Sequence, residues 1–459
     1  MTKLPTINQI KESEDRYIKK YSHNKLINNA SQKIYKFIKN NIKNKNILFV
    51  CGPGNNGLDG KLTHDLLKRR KSIYFSAKQK DLELIYLKNQ LKDADIIFDC
   101  LLGTGLNRKV QGKFRSVIEL INKSKKKVIS VDIPSGINGD SGEIMGISID
   151  ADMTLAMGFL KPGYFLLPGK EKIGKLILLD LNLSIDSKRK PEINLIKKVY
   201  FKKLIPKYSM GINKYSKGHV IVLGGEMSGA SRLVAYAARK SGCGLSTILV
   251  DKKNLKYYSD SEPGTIIKQF KTDYVFKEDI LVLGPGLGKD FRRQRIVNLI
   301  KNFNGFIVID ADAISIFEKY KQDFYNLLQS KRKIVITPHE GEFKRVFDMP
   351  NQSKIIKCLE ASKVIKNCVL LKGNDTVVAF PNSKVWLNNS LNNNLATAGS
   401  GDVLCGIIAG LLAQKLDFEK TILASLWIQN EISKTKENVV VEDFLKVIPR
   451  VIDALKNNN

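Results

Sequence analysis

The sequence predicts an α/β protein with two domains, each built on a mostly parallel sheet. With 459 residues, the chain is long for a single domain. Short apolar runs alternate with longer amphipathic stretches along both halves, as in βαβ units. Between the halves, the polar segment Asn182–Asn194 indicates a linker. We therefore predict two domains, at residues 1–198 and 199–459.

The first half contains apolar runs of strand length and amphipathic stretches of helix length. The predicted strands are Ile47–Cys51, Ser72–Ser76, Ile96–Leu101, Val128–Ile133, Met153–Met157 and Leu176–Leu181. The predicted helices are Asn24–Asn40, Lys61–Arg70, Leu82–Leu91 and Phe114–Lys123.

The second half shows the same alternation and predicts a three-layered α/β domain. The predicted strands are His219–Leu223, Leu245–Val250, Ile280–Leu283, Phe306–Ile309, Lys333–Thr337, Val369–Leu371 and Thr376–Phe380. The predicted helices include Ser228–Ser241, Phe291–Lys301, Ser353–Lys366, Asp402–Ala413, Lys420–Lys434 and Glu442–Leu455.

Bulk composition favours a protein of the reducing cytoplasm. The six cysteines form no C-x-x-C pair, and the four histidines add no zinc pattern. No stretch approaches about 18 consecutive apolar residues, so we expect no membrane-spanning helix. The polar start of the chain lacks the apolar core of a secretory signal.

The net charge of +31 has two interpretations. It could attract nucleic acid, or it could reflect lysines on every solvated surface helix. The lysines are spread along the chain, without an aromatic ladder or a zinc knuckle. We favour the second interpretation and expect no nucleic-acid partner. The alternative, a nucleic-acid-binding protein, predicts binding that weakens steeply with salt.

Three polar, glycine-rich segments follow predicted strands of the first domain. They are Gly52–Gly60, Leu102–Leu106 and Asp132–Gly136. Because ligands of open parallel sheets bind at the carboxyl ends of the strands, these segments should converge on one crevice. Gly52–Gly60 leads into a predicted helix, so its backbone N–H groups could cradle a phosphate.

Together these segments resemble the N-terminal, YjeF-type epimerase domain of the bifunctional NAD(P)H-hydrate repair enzymes. The family motifs GNNGGDG, DxLxGTG and DIPSG correspond to Gly54–Gly60, Asp99–Gly105 and Asp132–Gly136. Leu58 replaces a family glycine, and Asn28 replaces a family acid. We expect Leu58 to restrict the segment, because glycine alone adopts positive φ freely.

The resemblance implies a Rossmann-like three-layer domain that interconverts the R and S epimers of hydrated NADH or NADPH (NAD(P)HX). It assigns Asp132 as the acid–base residue, although this aspartate could also cap a turn. It implies a potassium ion held by oxygens of Asn56, Asp99 and Ser135. The substrate would contact Asn55, Asn56, Gly57, Leu58, Asp59, Gly103, Thr104, Gly105, Leu106, Asn107, Arg108, Lys109 and Asp132.

The second domain has its own glycine-rich segment, Thr397–Gly406. Gly399 and Gly401 let backbone N–H groups approach a phosphoryl group, and Asp402 stands beside them at a predicted helix start. A nest of donors beside a carboxylate suits phosphoryl transfer to a hydroxyl. This arrangement resembles the GxGD signature of ribokinase-like kinases, which by itself does not choose among them.

Further segments resemble the ribokinase-like, ADP/ATP-dependent NAD(P)H-hydrate dehydratase domain. In chain order they are Lys217–His219, Gly224–Gly225, Ser228–Ala230, Ser241–Leu245, Gly284–Gly288, Asp310–Ala313, Thr337–Glu342 and Lys372–Thr376. The implied function is metabolite repair. The first domain would epimerise NAD(P)HX, and the second would dehydrate the S form to NAD(P)H at the expense of ADP, giving AMP and phosphate.

The resemblance also implies residue roles in the dehydratase. Asp402 would deprotonate the ring hydroxyl while Gly399–Gly401 hold the migrating phosphoryl group. Nucleotide would bind Lys372, Gly373, Asn374, Asp375, Thr376 and Gly401. NAD(P)HX would contact Ala230, Gly286, His339 and Asp402. Glu342 would act through magnesium-bound water.

Several of these residues have a second interpretation. His339 could cap a helix, and Lys372 could cap its strand. Asp310 and Asp312 could be turn acids or could orient the substrate. A small-molecule kinase is the alternative enzyme, which would leave a stable phosphorylated product. We expect small-molecule substrates, no membrane partner and a homo-oligomer.

Overall fold

The computed structural model describes most of the chain. The described residues are 2–68, 72–76, 83–186, 190–205, 210–271, 274, 276, 279–288, 291–350, 352–389, 393–434 and 439–456. Outside them lie Arg69, Arg70 and Leu82 from two predicted helices, and Lys188 and Arg189 from the predicted linker. The chain forms two compact units, Lys3–Ile193 and Asn194–Asn459, the latter joined by the first two residues.

The first unit places a parallel sheet between helices. The strands of its sheet are β2 (Ile47–Cys51), β3 (Ser72–Ser76), β4 (Ile96–Cys100), β5 (Lys127–Val131), β6 (Met153–Met157) and β7 (Lys175–Leu179), whereas β1 (Thr2–Lys3) belongs to the other sheet. Its helices are α1 (Ile7–Tyr21), α2 (His23–Asn41), α3 (Asn55–Leu67), α4 (Glu83–Asp93) and α5 (Gly112–Lys123). The sheet order is β3-β2-β4-β5-β6-β7, with all neighbours parallel.

Alternation along the strands builds a core on each face of this sheet. Phe49 and Cys51 of β2 belong to the core that contains Ile34 of α2. Leu48 and Val50 belong to the opposite core, with residues of α4 and α5. Successive strand residues point to opposite faces, so one apolar run fills both cores. The predicted three-layer α/β fold is confirmed.

The second unit extends the same architecture. Its strands are β8 (Glu192–Leu195), β9 (His219–Leu223), β10 (Leu245–Val250), β11 (Ile266–Gln269), β12 (Ile280–Leu283), β13 (Phe306–Ile309), β14 (Ile334–Ile336), β15 (Cys368–Leu371), β16 (Val377–Ala379) and β17 (Lys384–Leu387). Its helices are α6 (Ser228–Lys240), α7 (Arg293–Asn302), α8 (Asp312–Ser315), α9 (Lys321–Gln329), α10 (Glu340–Val346), α11 (Lys354–Ile365), α12 (Ser400–Leu412), α13 (Phe418–Ser433) and α14 (Val441–Lys456).

The sheet of the second unit is parallel at its centre and antiparallel towards one edge. Its order is β1-β8-β17-β16-β15-β14-β13-β12-β9-β10-β11. The strands from β15 to β11 along this order are parallel, whereas β16 pairs antiparallel with both β15 and β17. The carboxyl ends of the parallel strands therefore share one edge, as the predicted site requires.

Several elements lie where the sequence predicts none, among them helix α1 and strand β8. Helix α1 occupies the charged N-terminal segment, where Thr6 and Gln9 form a capping box and Ile7 and Ile10 are buried. Strand β8 begins inside the predicted linker Asn182–Asn194. Both segments carry few apolar residues, so their periodicity is weak and only packing reveals them.

Within the described residues, no helix has the length and apolar character needed to cross a membrane. All six cysteines are buried free thiols.

Glycines allow α6 and α12 to pack at close range. A Cβ added to Gly410 would lie 2.3 Å from the Ala238 carbonyl oxygen. We predict that Gly410→Ala destabilises the second unit by roughly 1–3 kcal/mol, because backbone cannot move aside as a side chain can. The measurement is the midpoint of thermal or denaturant unfolding.

Gly229→Ala is the matched control for that substitution. It lies in α6, and a Cβ there would meet no atom within 4 Å. We expect the control to be neutral or stabilising by up to about 1 kcal/mol, because alanine is the better helix former. Equal midpoints for the two variants would contradict the packing argument.

Two candidate active sites

The glycine-rich segment after β2 is largely helical rather than a loop. Asn55, predicted to precede the helix, is its first residue, and Gly54 is the N-cap. Leu58 therefore has helical backbone and is 42% exposed. The expectation that Leu58 would restrict a flexible segment is wrong, because no positive φ is needed at that position.

Close packing explains the glycines of this segment. A Cβ on Gly57 would lie 1.9 Å from the Gly52 carbonyl oxygen, and a Cβ on Gly60 would lie within 2.8 Å of the sulfurs of Cys51 and Cys100. The first turns of α3 thus lie directly against the carboxyl ends of β2 and β4. This approach puts the helix N-terminus, with its unpaired N–H groups, at the predicted crevice.

Asp132 lies at the centre of the first site, immediately after β5. Its backbone has φ of +69°, in the left-handed region. Lys161 Nζ lies 2.7 Å from Asp132 Oδ1, and the Thr104 N–H donates to Oδ2 at 3.3 Å. The Tyr164 hydroxyl donates to the Asp132 carbonyl oxygen. Asp132 thus contacts Thr104, as predicted from the second motif, and two residues that the sequence did not single out.

The three predicted cation ligands lie close together beneath this aspartate. Asp99 is fully buried, and its carboxylate accepts hydrogen bonds from Ser130 Oγ, from the Leu101 N–H, and from both the N–H and Oγ of Ser135. Burial raises the pKa of Asp99 despite these bonds. Asn56 donates to the carbonyls of Leu102 and Val131.

One oxygen of this group has no hydrogen-bond donor among the described residues. It is the buried Oδ1 of Asn56. A buried acceptor without a donor is costly, and a cation is a suitable partner for it. The oxygens here therefore fit a hard monovalent cation, with Asn56 Oδ1 as its most available ligand.

Two further acids surround Asp132. Asp59 of α3 is buried, and burial, followed by the Asp132 carboxylate, raises its pKa well above the ordinary value. Glu14 of α1 is partly buried, and burial, again followed by Asp132, raises its pKa to about 7. Lys161 opposes this shift in Glu14. No motif marks Glu14, because α1 itself was not predicted.

The remaining predicted substrate contacts form the rim. Gly105, Asn107, Arg108 and Lys109 are exposed in the segment between β4 and α5, and Leu106 is half-buried. Asn55 is exposed, and its Oδ1 lies 3.3 Å from Nε2 of His23. His23 is thus a further side chain at this rim, although its sequence context carries no site motif.

Asp402 lies in the first turn of α12, where the second site was predicted. Gly399 is the N-cap with φ of +86°, a conformation that favours glycine. Burial, and then the Asp310 carboxylate, raises the pKa of Asp402 to about 6, whereas Lys372 lowers it. A carboxyl group with such a pKa is well suited to accept a proton near neutral pH.

Lys372 and Asp310 form a buried ion pair beneath this turn. Lys372 Nζ lies 2.6 and 2.9 Å from the two carboxylate oxygens of Asp310, which is 2% exposed. Glu342 lies 4.0 Å from the same ammonium. A Cβ on Gly401 would lie 3.3 Å from Lys372 Nζ. Lys372, Glu342 and Gly401 therefore converge, and Asp310 is a partner of the lysine rather than a turn acid.

The predicted nucleotide segment after β15 is held by its own side chains. The Thr376 hydroxyl donates to the Gly373 carbonyl at 2.6 Å and accepts from the Gly373 N–H at 3.2 Å. Asp375 is buried and pairs with Lys354 at 2.5 Å. Gly373 and Asn374 are exposed at the tip of the segment. The side chains of Asp375 and Thr376 thus shape the turn, and its exposed backbone faces outward.

His339 caps helix α10, as one of its two interpretations predicted. Its Nδ1 accepts from the N–H groups of Gly341 and Glu342, and the Glu342 carboxylate accepts from the His339 N–H at 2.8 Å. The side chain is still 54% exposed, so Nε2 remains accessible although it lies 3.3 Å from Glu342. The cap holds the carboxylate of Glu342, which lies 4.0 Å from Lys372 Nζ.

Ala230 and Gly286 also lie side by side. A Cβ on Gly286 would lie 3.1 Å from the Ala230 Cβ, and the Met227 N–H donates to the Gly286 carbonyl at 3.2 Å. Asp312, at the start of α8, accepts from the Gly288 N–H at 3.0 Å. Asp312 therefore supports the Gly284–Gly288 turn.

The comparisons with known proteins match both halves of the chain. Residues 63–163 match the family model described as YjeF-related protein N-terminus, and residues 220–447 match the model described as NAD(P)H-hydrate dehydratase. Among solved structures, a ribokinase-like superfamily protein from Enterococcus faecalis superposes with a TM-score of 0.52 at 24% identity. That similarity covers 60% of this chain and 100% of the other, and it concerns the fold alone.

Curated relatives extend the match to nearly the whole chain. A bifunctional NAD(P)H-hydrate repair enzyme from Dictyoglomus turgidum is 30% identical, with 99% of each chain covered. A protein of the same name from Escherichia coli is 28% identical over 80% of this chain and 76% of the relative. The chain belongs to the family of bifunctional NAD(P)H-hydrate repair enzymes.

Proposed function

We propose that residues 1–198 epimerise R- and S-NAD(P)HX, and that residues 199–459 dehydrate the S form to NAD(P)H while ADP becomes AMP and phosphate. One observation carries this division of labour. Each unit holds a partly exposed aspartate among buried charges at the carboxyl edge of its parallel sheet, namely Asp132 and Asp402. The proposed site of action is the cytoplasm, and the proposed assembly is a homo-oligomer.

In the epimerase, Asp132 would move the proton that inversion at the hydroxyl-bearing ring carbon requires. The N–H groups at the start of α3 and the exposed segment Gly103–Lys109 would hold the dinucleotide phosphates. Arg108 and Lys109 add positive charge to that rim. A potassium ion bound by Asn56, Asp99 and Ser135 would complete the floor of the site, with the unpaired Asn56 Oδ1 as the supporting observation.

In the dehydratase, Asp402 would take the proton from the ring hydroxyl as that oxygen attacks the β-phosphorus of ADP. The P–O bond to AMP breaks, and the backbone donors of Gly399–Gly401 stabilise the transferring group. The ring nitrogen then expels phosphate, and loss of a neighbouring proton restores the dihydronicotinamide. Phosphorylation is needed because hydroxide is the poorer leaving group.

Nucleotide and magnesium would bind beside that aspartate. The exposed backbone of Gly373–Asn374 and the N-terminus of α12 would contact the nucleotide phosphates. Magnesium, when bound, neutralises phosphate charge, and Glu342 would hold it through water. Lys372 pairs with Asp310 and lies beside Gly401. Its ammonium would therefore contribute positive charge close to the nucleotide phosphates bound at Gly401. Ala230, Gly286 and His339 would contact NAD(P)HX.

The two activities should be separable by single substitutions. We predict that Asp132→Asn lowers epimerisation and that Asp402→Asn lowers dehydration, each by roughly 10²–10⁴-fold, the range for lost acid–base catalysis. The assay supplies mixed hydrates with ADP and follows recovery of dihydronicotinamide absorbance and release of phosphate.

Each variant serves as the control for the other. Asp132→Asn should still consume the S epimer at the wild-type rate, and then stop at the slow rate of spontaneous epimerisation. If Asp402→Asn dehydrates the hydrate undiminished, Asp402 is not the base. A stable phosphorylated product would instead favour the small-molecule kinase.

The pH profile of dehydration should report Asp402. A base acts when deprotonated, so kcat/KM should rise with pH through about 6 and level off above it, since that parameter follows the free enzyme. Residual activity of Asp402→Asn should lack this rise. If kcat/KM of the wild-type protein instead rises near pH 4, roughly the ordinary pKa of an aspartate, the raised pKa of Asp402 would be contradicted.

A further inference from the structure

Among the described residues of the first unit, Lys161 is the most deeply buried cation, and it contacts the candidate active site. It follows β6, is 1% exposed and lies 2.7 Å from Asp132 Oδ1. Its ammonium also donates to the carbonyls of Phe159 at 3.2 Å and Met157 at 3.4 Å. Since the ammonium is enclosed by these acceptors, it is not placed to bind substrate phosphates directly.

The residue three positions later holds the same aspartate from its other end. Tyr164 is buried in the short turn Pro162–Phe165, and its hydroxyl donates to the Asp132 carbonyl oxygen. A Cβ on Gly163 would lie 2.4 Å from the Asn138 carbonyl oxygen, so this turn packs closely against the backbone at Asn138. Lys161 therefore holds the carboxylate of Asp132, and Tyr164 holds its backbone, which has a left-handed conformation.

The surrounding charges make the ammonium necessary. Asp59 from α3 and Glu14 from α1 lie near enough to Asp132 for its charge to raise their pKa values. Burial alone would lower the pKa of Lys161, but Asp132 and Tyr164 raise it above the ordinary value, so the lysine stays protonated. Lys161 lowers the pKa of Glu14 against these effects, so the ammonium offsets part of the negative charge around Asp132.

Stability alone is a weak explanation for such a pair. Burying two charges costs several kcal/mol per ion, and well-packed apolar residues often replace buried pairs without loss. Here one partner is the candidate acid–base residue, and its side chain is 15% exposed towards the crevice. The pair thus leaves one carboxylate face open while fixing the other.

We infer that Lys161 is a positioning residue of the epimerase, which holds the Asp132 carboxylate through its Oδ1 and aims the rest of that carboxylate at the substrate. Tyr164 fixes the backbone of the same aspartate. This inference rests on the proposed epimerase function of the first unit.

The test uses the full-length protein with Lys161→Met, Lys161→Ala and a control lysine. Lys161→Met should lower kcat for epimerisation by roughly 100-fold, the smaller end of acid–base effects, with KM for the hydrates little changed. Ethylammonium should restore part of kcat in Lys161→Ala, because it can refill the space and the charge. Dehydration of pure S-NAD(P)HX by the same samples should match wild type.

Lys172→Met is the matched control, because Lys172 pairs with Asp150 at a more exposed position of the same unit. It should leave epimerisation unchanged. Full epimerase activity in Lys161→Met, a raised KM with normal kcat, or a loss in Lys161→Ala that ethylammonium cannot restore would each overturn the inference. Wild-type protein that does not epimerise the hydrates would instead refute the proposed function itself.

Discussion

A buried lysine beside an aspartate underlies each of the two sites. Lys161 pairs with Asp132 in the first unit, and Lys372 pairs with Asp310 in the second. Both pairs lie at the carboxyl edge of a parallel sheet, where the apolar core ends and polar groups gather. In such a partly dry environment an unpaired charge is costly, and each lysine lowers the pKa of a nearby acid, Glu14 in the first unit and Asp402 in the second.

The two units use this pair differently. In the first, the paired aspartate is itself the candidate acid–base residue, so the lysine acts on it directly. In the second, Asp310 is buried, and the pKa of the candidate base Asp402 is raised to about 6 by burial and then by Asp310, while Lys372 lowers it. A carboxyl group with a shifted pKa beside a charged partner, as Asp402 is beside Lys372, is common at sites of proton transfer.

Glycines place the first turns of α3 and α12 at the two sites, for two distinct physical reasons. Gly57 and Gly60 allow α3 to lie against strand ends where any Cβ would collide with backbone or sulfur. Gly399 instead supplies the left-handed conformation that starts α12. In both cases a helix N-terminus is delivered to a crevice at the sheet edge, which is how α/β folds generally hold phosphate groups.

The α/β class, most strand positions and the glycine-rich segments follow from the order of amino acids alone. Strands such as Met153–Met157 were predicted to the residue, because an apolar run buried on both faces leaves an unambiguous pattern. Ordered motifs also determined the candidate residues Asp132 and Asp402. Two different family models match the two halves of the chain, at residues 63–163 and 220–447.

The surroundings of those two aspartates, in contrast, became visible only in the folded chain. Lys161 is 29 positions from Asp132, and Asp310 is 62 positions from Lys372, so no local pattern could pair them. Glu14 was hidden in a charged segment whose helix forms mainly through packing, since its apolar stripe is narrow. Local sequence specifies backbone preference and burial, whereas the ionisation of a buried acid depends on charges that folding brings from distant segments.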